Sequence, residues 1–232
     1  MDFETNTNSA IYAQESERAA FIRRTYLHVA GAILAFVVLE AILLSLPIGG
    51  VIASVISARF GWLLVLGAFM GVSMLAQKWA NSDTSPAMQY LGLGLYVVAE
   101  AIIFLPLLYV AAYYTSEHVI VSSGLITMFL FAGLTASVFI SKKDLSWMGR
   151  ILTIGGFIAM GVIVASMLFG FSLGLIFSAV MVVFAAGSIM YQTSNVLHHY
   201  RTNQHVAASL ALFASVALLF WYILRLVMGS RN

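Results

Sequence analysis

The sequence predicts an all-α membrane protein built from seven transmembrane helices. Of its 232 residues, 62% are hydrophobic and only 9% are charged, and the mean hydropathy is +0.98. Soluble domains carry about 25% charged residues, and a single water-soluble domain of this size could not hide so much apolar surface. The apolar residues form long continuous runs without the alternation of an outer-membrane strand, which indicates helices in a lipid bilayer.

Seven apolar segments follow the polar start of the chain, each close to the length of about twenty residues that a helix needs to cross the hydrocarbon. The predicted spans are residues 25–46, 60–77, 87–113, 119–140, 151–170, 173–197 and 207–228. Short polar or turn-forming clusters separate them. Gly67 and Gly71 in the second span have the spacing of a close helix contact, and we expect one there.

The first 24 residues have no apolar segment that could act as a cleavable signal, so we expect the first span to serve as its own insertion signal. We divide the chain into a polar cytoplasmic N-terminal tail, residues 1–24, and a transmembrane domain, residues 25–232. Residues 16–24 could form a short interfacial helix. The simpler interpretation, which we favour, is a solvated leader whose arginines hold the first span in place.

Lysine and arginine predict the orientation, because cytoplasmic loops carry an excess of both. The tail and the loops after the second, fourth and sixth spans hold Arg18, Arg23, Arg24, Lys78, Lys142, Lys143, Arg150 and Arg201. The opposite side holds Arg59, Arg225 and Arg231. This distribution places the N-terminus in the cytoplasm and, with seven spans, the C-terminus outside. If the last segment were re-entrant, the C-terminus would return inside.

The sequence lacks the residues that several classes of chemistry require. The chain has no cysteine, and its net charge of +2 is small and dispersed, so neither a thiolate site nor nucleic-acid binding is indicated. His198 and His199 point about 100° apart on a helix and have no carboxylate in their own loop, so we expect a solvated pair rather than a metal site. Without paired catalytic acids or a credible nucleophile, we expect neither an enzyme nor a bound cofactor.

Three ionisable side chains lie inside predicted spans, where each is a functional candidate because burying charge in lipid is costly. Glu40 and Arg225 lie roughly 22 Å and 27 Å from the cytoplasmic ends of the first and seventh spans, so they could form a salt bridge. Alternatively, Arg225 reaches the outer headgroups and Glu40 is protonated or wetted. Glu100, in the middle of the third span, has no basic partner at its depth. It could serve a proton or cation path, or it could be a neutral carboxyl bonded to a neighbouring helix.

The turn after the fourth span carries a recognisable motif. Residues 131–149 read Phe-Ala-Gly-Leu-Thr-Ala-Ser-Val-Phe-Ile-Ser-Lys-Lys-Asp-Leu-Ser-Trp-Met-Gly. This run resembles the hallmark of the Bax inhibitor family, with Lys142, Lys143, Asp144 and Gly149 in the cytoplasmic motif. The resemblance implies six helices arranged around a central seventh.

The resemblance also implies a candidate activity, a pH-sensitive calcium leak in which an aspartate of the sixth span pairs with one of the seventh. Two such carboxyls would share a proton. This sequence has Gln192 and Ser215 at those positions, and neither titrates near neutral pH. The di-aspartyl latch is therefore absent, although Glu100 and Glu40 remain as acids for a cation leak channel or transporter of calcium or protons.

Residues 191–198 read Tyr-Gln-Thr-Ser-Asn-Val-Leu-His and resemble the bacterial YccA-like branch of that family. The branch is similar to modulators of FtsH, a membrane-bound AAA protease. The resemblance implies a protein of the bacterial inner membrane that binds or modulates such a protease, and this is our leading hypothesis. The tail would be the handle, since residues 4–9 offer no stable structure that resists threading.

Overall fold

The computed structural model of the chain describes residues 10, 13–58, 60–82, 85–116 and 118–230. These residues form eight α-helices and no strand. The helices are α1 (Glu15–Ser45), α2 (Gly49–Ser57), α3 (Gly61–Ala80), α4 (Pro86–Tyr114), α5 (Val119–Ser141), α6 (Met148–Phe169), α7 (Leu175–His198) and α8 (His205–Gly229). All except α2 are long and apolar enough to cross a bilayer.

The seven long helices confirm the predicted spans. Their outward faces carry large apolar side chains, among them Ile176, Ile140 and Phe129, which are 84%, 82% and 78% exposed. Water would penalise so much exposed apolar surface, whereas lipid does not. The protein is therefore an all-α, multi-pass membrane protein.

The start of α1 corrects one expectation. The helix begins at Glu15, so residues 16–24 are helical and continuous with the first span, and the solvated-leader interpretation is wrong for this stretch. The physical reason is a single buried stripe. Phe21, Thr25, Val29 and Ala32 are buried at helical spacing, so one face packs from the polar leader into the span. Residues 4–9, the part of the proposed handle that was expected to lack stable structure, lie outside the described residues.

Two further features differ from expectation. Helix α2 was not predicted, and its nine residues are too few to cross the bilayer. The contact expected at Gly67 and Gly71 is wrong, since a β-carbon at either position would meet no atom within 4 Å. The close approach of α3 and α4 is at Gly92, where a β-carbon would lie 2.5 Å from the Ala76 carbonyl oxygen.

Helix α8 lies deep in the bundle. It packs against α1, α3, α4, α5 and α7, and the consecutive residues 206–210 are all buried, as expected of a helix that is apolar on every side. Helix α6 packs mainly against α7 and is the least buried long helix. The arrangement of six helices around the seventh remains a prediction.

The ends of the helices form two faces. We call the first the basic end, where Arg18 at the start of α1 donates to the Leu197 carbonyl (3.3 Å) and Tyr90 of α4 lies 3.2 Å from His205 of α8. The helix ends and connections at this end carry Lys78, Lys142, Lys143, Arg150 and Arg201. At the opposite end, the Tyr113 hydroxyl donates to the Leu44 carbonyl (2.9 Å). Arg59 and Arg231, predicted for that side, lie outside the described residues.

Candidate functional site

A cavity of about 710 Å³ lies among α3, α4, α6, α7 and α8. Gln77, Asn81 and Tyr200 line it near the basic end, and Trp62 and Arg225 line it near the opposite end. Along α8 its lining extends from residue 207 to residue 225, which corresponds to roughly 27 Å of helix. The cavity therefore follows most of the thickness of the bundle.

Four of the five polar candidates from the spans line this cavity, namely Glu100, Gln192, Ser215 and Arg225. Glu40 does not. Its side chain is 4% exposed on α1, and neither carboxyl oxygen has a hydrogen-bond partner among the described residues. Glu40 is therefore buried against protein, whereas the other four share one internal space.

Glu100 is 6% exposed, and its partner is the hydroxyl of Tyr96, one turn earlier on α4. The Tyr96 ring meets Phe213 edge-on at 6.1 Å, and Phe104 meets Trp221 edge-on at 4.9 Å, so Glu100 lies level with the middle of α8. No ion pair involves it among the described residues. This hydroxyl is on the same helix as Glu100, whereas one alternative from the sequence placed the bond on a neighbouring helix.

Ser215 lies close to the level of Glu100, and its hydroxyl is 2.8 Å from that of Ser188 on α7. Gln192, one turn from Ser188 toward the basic end, accepts a hydrogen bond from the Asn195 amide (3.3 Å). The two positions that would hold the family's latch thus line one cavity, but Ser215 bonds Ser188 instead of Gln192. Ser188 was missed from the sequence, although its spacing of four residues from Gln192 places it on the same face of the helix.

Arg225 donates through Nη2 to the carbonyl of Leu173 (2.9 Å), in the turn between α6 and α7. The alternative of a salt bridge with Glu40 is therefore wrong. The two side chains share a depth but not a direction, since Arg225 faces the cavity and Glu40 does not.

The family motif forms the connection between α5 and α6, and Ser194 of α7 holds it. Lys142 ends α5 in the left-handed conformation (φ 50°). The Ser194 hydroxyl accepts from the Leu145 N–H (2.9 Å) and donates to the Lys143 carbonyl (3.3 Å). The serine of the stretch that resembles the YccA-like branch thus fixes the motif at the basic end.

Asp144 accepts hydrogen bonds from His199 Nε2 (3.1 Å) and from the Ser146 N–H (2.9 Å). Burial raises the pKa of this carboxyl, but the hydrogen bonds from His199 and Ser146 outweigh it and hold the pKa below its ordinary value. The sequence could not show this pair, because the carboxylate comes from a different loop. Gly149 of the same motif packs closely on α7, since a β-carbon there would lie 2.9 Å from the Tyr191 hydroxyl.

The other positively charged side chains of the motif region have no acidic partner among the described residues. Lys142, Lys143 and Arg150 form no ion pair among the described residues. Within the same part of the chain, no group of three or more potential metal ligands is found. The basic end therefore presents a fixed loop with surplus positive charge.

Comparison with known proteins agrees with the motif. An uncharacterized protein of Pseudomonas aeruginosa is 30% identical over 169 residues, covering 70% of this chain and 72% of that protein. The modulator of FtsH protease YccA of Escherichia coli K12 is 27% identical over 172 residues, covering 72% and 74%. The Golgi anti-apoptotic protein of vaccinia virus (strain Lister) is 26% identical over 175 residues, covering 73% and 70%.

The sequence model of the family described as "Inhibitor of apoptosis-promoting Bax1" matches residues 18–232, which include every long helix except the first three residues of α1. This match agrees with the motif between α5 and α6 and with the seven spans. The chain therefore belongs to the Bax inhibitor family.

Proposed function

We propose that this protein binds or modulates a membrane-bound protease of the FtsH type in the bacterial inner membrane, with its basic end in the cytoplasm. The observation that carries the proposal is its relationship to YccA of Escherichia coli, which is named a modulator of FtsH protease. The residues that resemble the YccA-like branch support it, since Ser194 fixes the family motif at the basic end.

The same end anchors the start of the chain. The Ala10 N–H donates to the Tyr200 carbonyl (2.9 Å), and Arg18 donates to the Leu197 carbonyl (3.3 Å). A protease that engaged the chain tail-first would therefore meet resistance at residue 10. The handle is then limited to the residues ahead of Ala10, and the docked start of α1 opposes threading beyond it.

Co-purification of FtsH from native membranes tests the handle. Deletion of residues 2–9 should abolish recovery, because it removes the part of the handle that precedes the docked Ala10. A matched variant replaces residues 4–9 with an equal length of glycine and serine and should retain recovery, since glycine and serine form a flexible segment of the same length. Unchanged recovery after the deletion would contradict the role of the tail.

A second candidate function is movement of a cation, such as calcium or a proton, through the bundle. The cavity favours it, because Glu100 lies in its middle and polar side chains line it toward both ends. In liposomes loaded with a calcium dye, Glu100→Gln should abolish flux. Glu40→Gln is the matched control, since Glu40 does not line the cavity, and it should leave flux unchanged. Absence of flux at every pH would eliminate this candidate.

A further inference from the structure

The oxygen groups around Glu100 are too few for a divalent ion. Among the described residues, Glu100 is the acidic side chain that lines the cavity. The Tyr96 hydroxyl is its partner, and the hydroxyls of Ser188 and Ser215 are bonded to each other. Calcium takes about six to eight oxygen ligands, usually including several carboxylates. A single carboxylate matches a single positive charge instead.

Aromatic rings form the walls on both sides of Glu100. Tyr96 and Phe104 each lie one turn from it on α4, and Phe69 lies 6.2 Å from the Tyr96 ring. Trp221 meets Phe104 at 4.9 Å, and all of these rings line the cavity. Ring faces attract cations and also bury apolar groups, a combination used to recognise quaternary ammonium ligands. A small, strongly hydrated inorganic ion would gain little from such walls.

Size and charge distribution agree with this class of ligand. Cavities of about 300–1,000 Å³, mostly apolar with a few polar groups, hold small organic molecules, and this cavity measures about 710 Å³. Arg225 lies roughly 12 Å along the helix axis from the level of Glu100 and is bonded to the Leu173 carbonyl. Because Coulomb attraction and repulsion weaken with distance, Glu100 dominates the field at the middle of the cavity.

We propose that the cavity binds an amphipathic organic monocation, with its charged centre against the Glu100 carboxylate and its apolar body among the rings of Tyr96, Phe104 and Trp221. The proposal rests on the second candidate function, in which Glu100 faces a cation, and names the chemical class of that cation.

Tetraphenylphosphonium is a suitable probe, titrated into the purified full chain in nanodiscs of zwitterionic lipid. Of the four tryptophans, Trp62 and Trp221 line the cavity, so binding should quench tryptophan fluorescence saturably. Glu100→Gln should weaken binding by at least about tenfold, because the buried cation loses its counter-charge. Glu40→Gln should leave the affinity unchanged, because Glu40 is a buried carboxyl that lies outside the cavity. Triphenylphosphine oxide, which is uncharged, should bind at least about tenfold more weakly than the phosphonium.

If Glu100→Gln fails to fold, Ala211→Phe serves as the second variant, because it places a ring in the cavity from the α8 side. It should abolish quenching while a folded thermal transition remains. Equal affinity in the wild type and Glu100→Gln, equal affinity for the uncharged analogue, or unchanged quenching in a folded Ala211→Phe variant would overturn the proposal. Calcium flux without probe binding would also overturn it and leave the second candidate standing. Probe binding without calcium flux would support the proposal and remove calcium as the cargo.

Discussion

Glu40 and Glu100 are both carboxyls inside membrane spans, and both are almost fully buried, at 4% and 6% exposure. Glu100 faces the internal cavity and has the Tyr96 hydroxyl as a partner. Glu40 is enclosed by protein, and its oxygens have no partner among the described residues. Burial alone therefore does not identify a functional carboxyl in this protein. The space that the side chain faces distinguishes the two.

The largest expected difference is in access from water. The chain has no cysteine, so single Glu40→Cys and Glu100→Cys variants are clean reporters. A small water-soluble thiol reagent should label residue 100 on the order of 100-fold faster than residue 40, because the thiolate that reacts forms only where water enters. Mass spectrometry measures the labelling, and Lys142→Cys supplies the rate at an exposed site. Equal rates at the two positions would break the comparison.

The next difference is in stability. Glu40→Leu should raise the free energy of unfolding by about 1–3 kcal/mol, because it removes a buried polar group that lacks a hydrogen bond. Glu100→Leu should give no such gain, since it leaves the Tyr96 hydroxyl without its partner. Thermal unfolding in detergent measures both variants. A loss of stability in Glu40→Leu would show that its carboxyl has a partner in the membrane.

Tyr96→Phe makes the two carboxyls more alike, because it leaves Glu100 without its hydroxyl partner. The expected loss is about 1 kcal/mol, the usual net value of one hydrogen bond. Tyr222→Phe is the control, since Tyr222 lines the same cavity but Tyr96, and not Tyr222, supplies the hydroxyl partner of Glu100. Thermal unfolding of the two variants should differ; an equal effect would mean that the Tyr96 hydroxyl contributes only its bulk.

Asp144 extends the comparison to an exposed carboxyl that has an ion-pair partner. Loss of this pair should have the smallest effect on stability. Hydrogen bonds hold its pKa below the ordinary value, so it stabilises the fold above about pH 4 and loses that contribution as the pH falls through its lowered pKa. Asp144 and His199 are 48% and 46% exposed, so the pair contributes less than about 1 kcal/mol. His199→Ala should lower the melting temperature slightly at pH 6 and have no effect well below the pKa of Asp144. An equal effect at both pH values would contradict the ion pair.

The spans could be predicted because lipid requires about twenty apolar residues in each crossing, and the family motif located the loop that Ser194 fixes. The direction in which each polar side chain points could not be predicted. These helices are apolar on almost every face, so periodicity does not show which side meets a neighbour. Depth suggested that Glu40 and Arg225 pair, yet helix rotation separates them. For the same reason, the close helix contact was predicted at Gly67 and Gly71, whereas it lies at Gly92.

The weak attachment of α6 has a consequence for how molecules reach the aromatic walls. This helix packs mainly on α7, forms one side of the cavity through Met160 and Ile163, and otherwise faces lipid. A sideways displacement of α6 loses fewer protein contacts than displacement of any other long helix, and acyl chains can cover the surface that it leaves. The α6 side is therefore where the least protein packing separates the aromatic walls from the surrounding lipid.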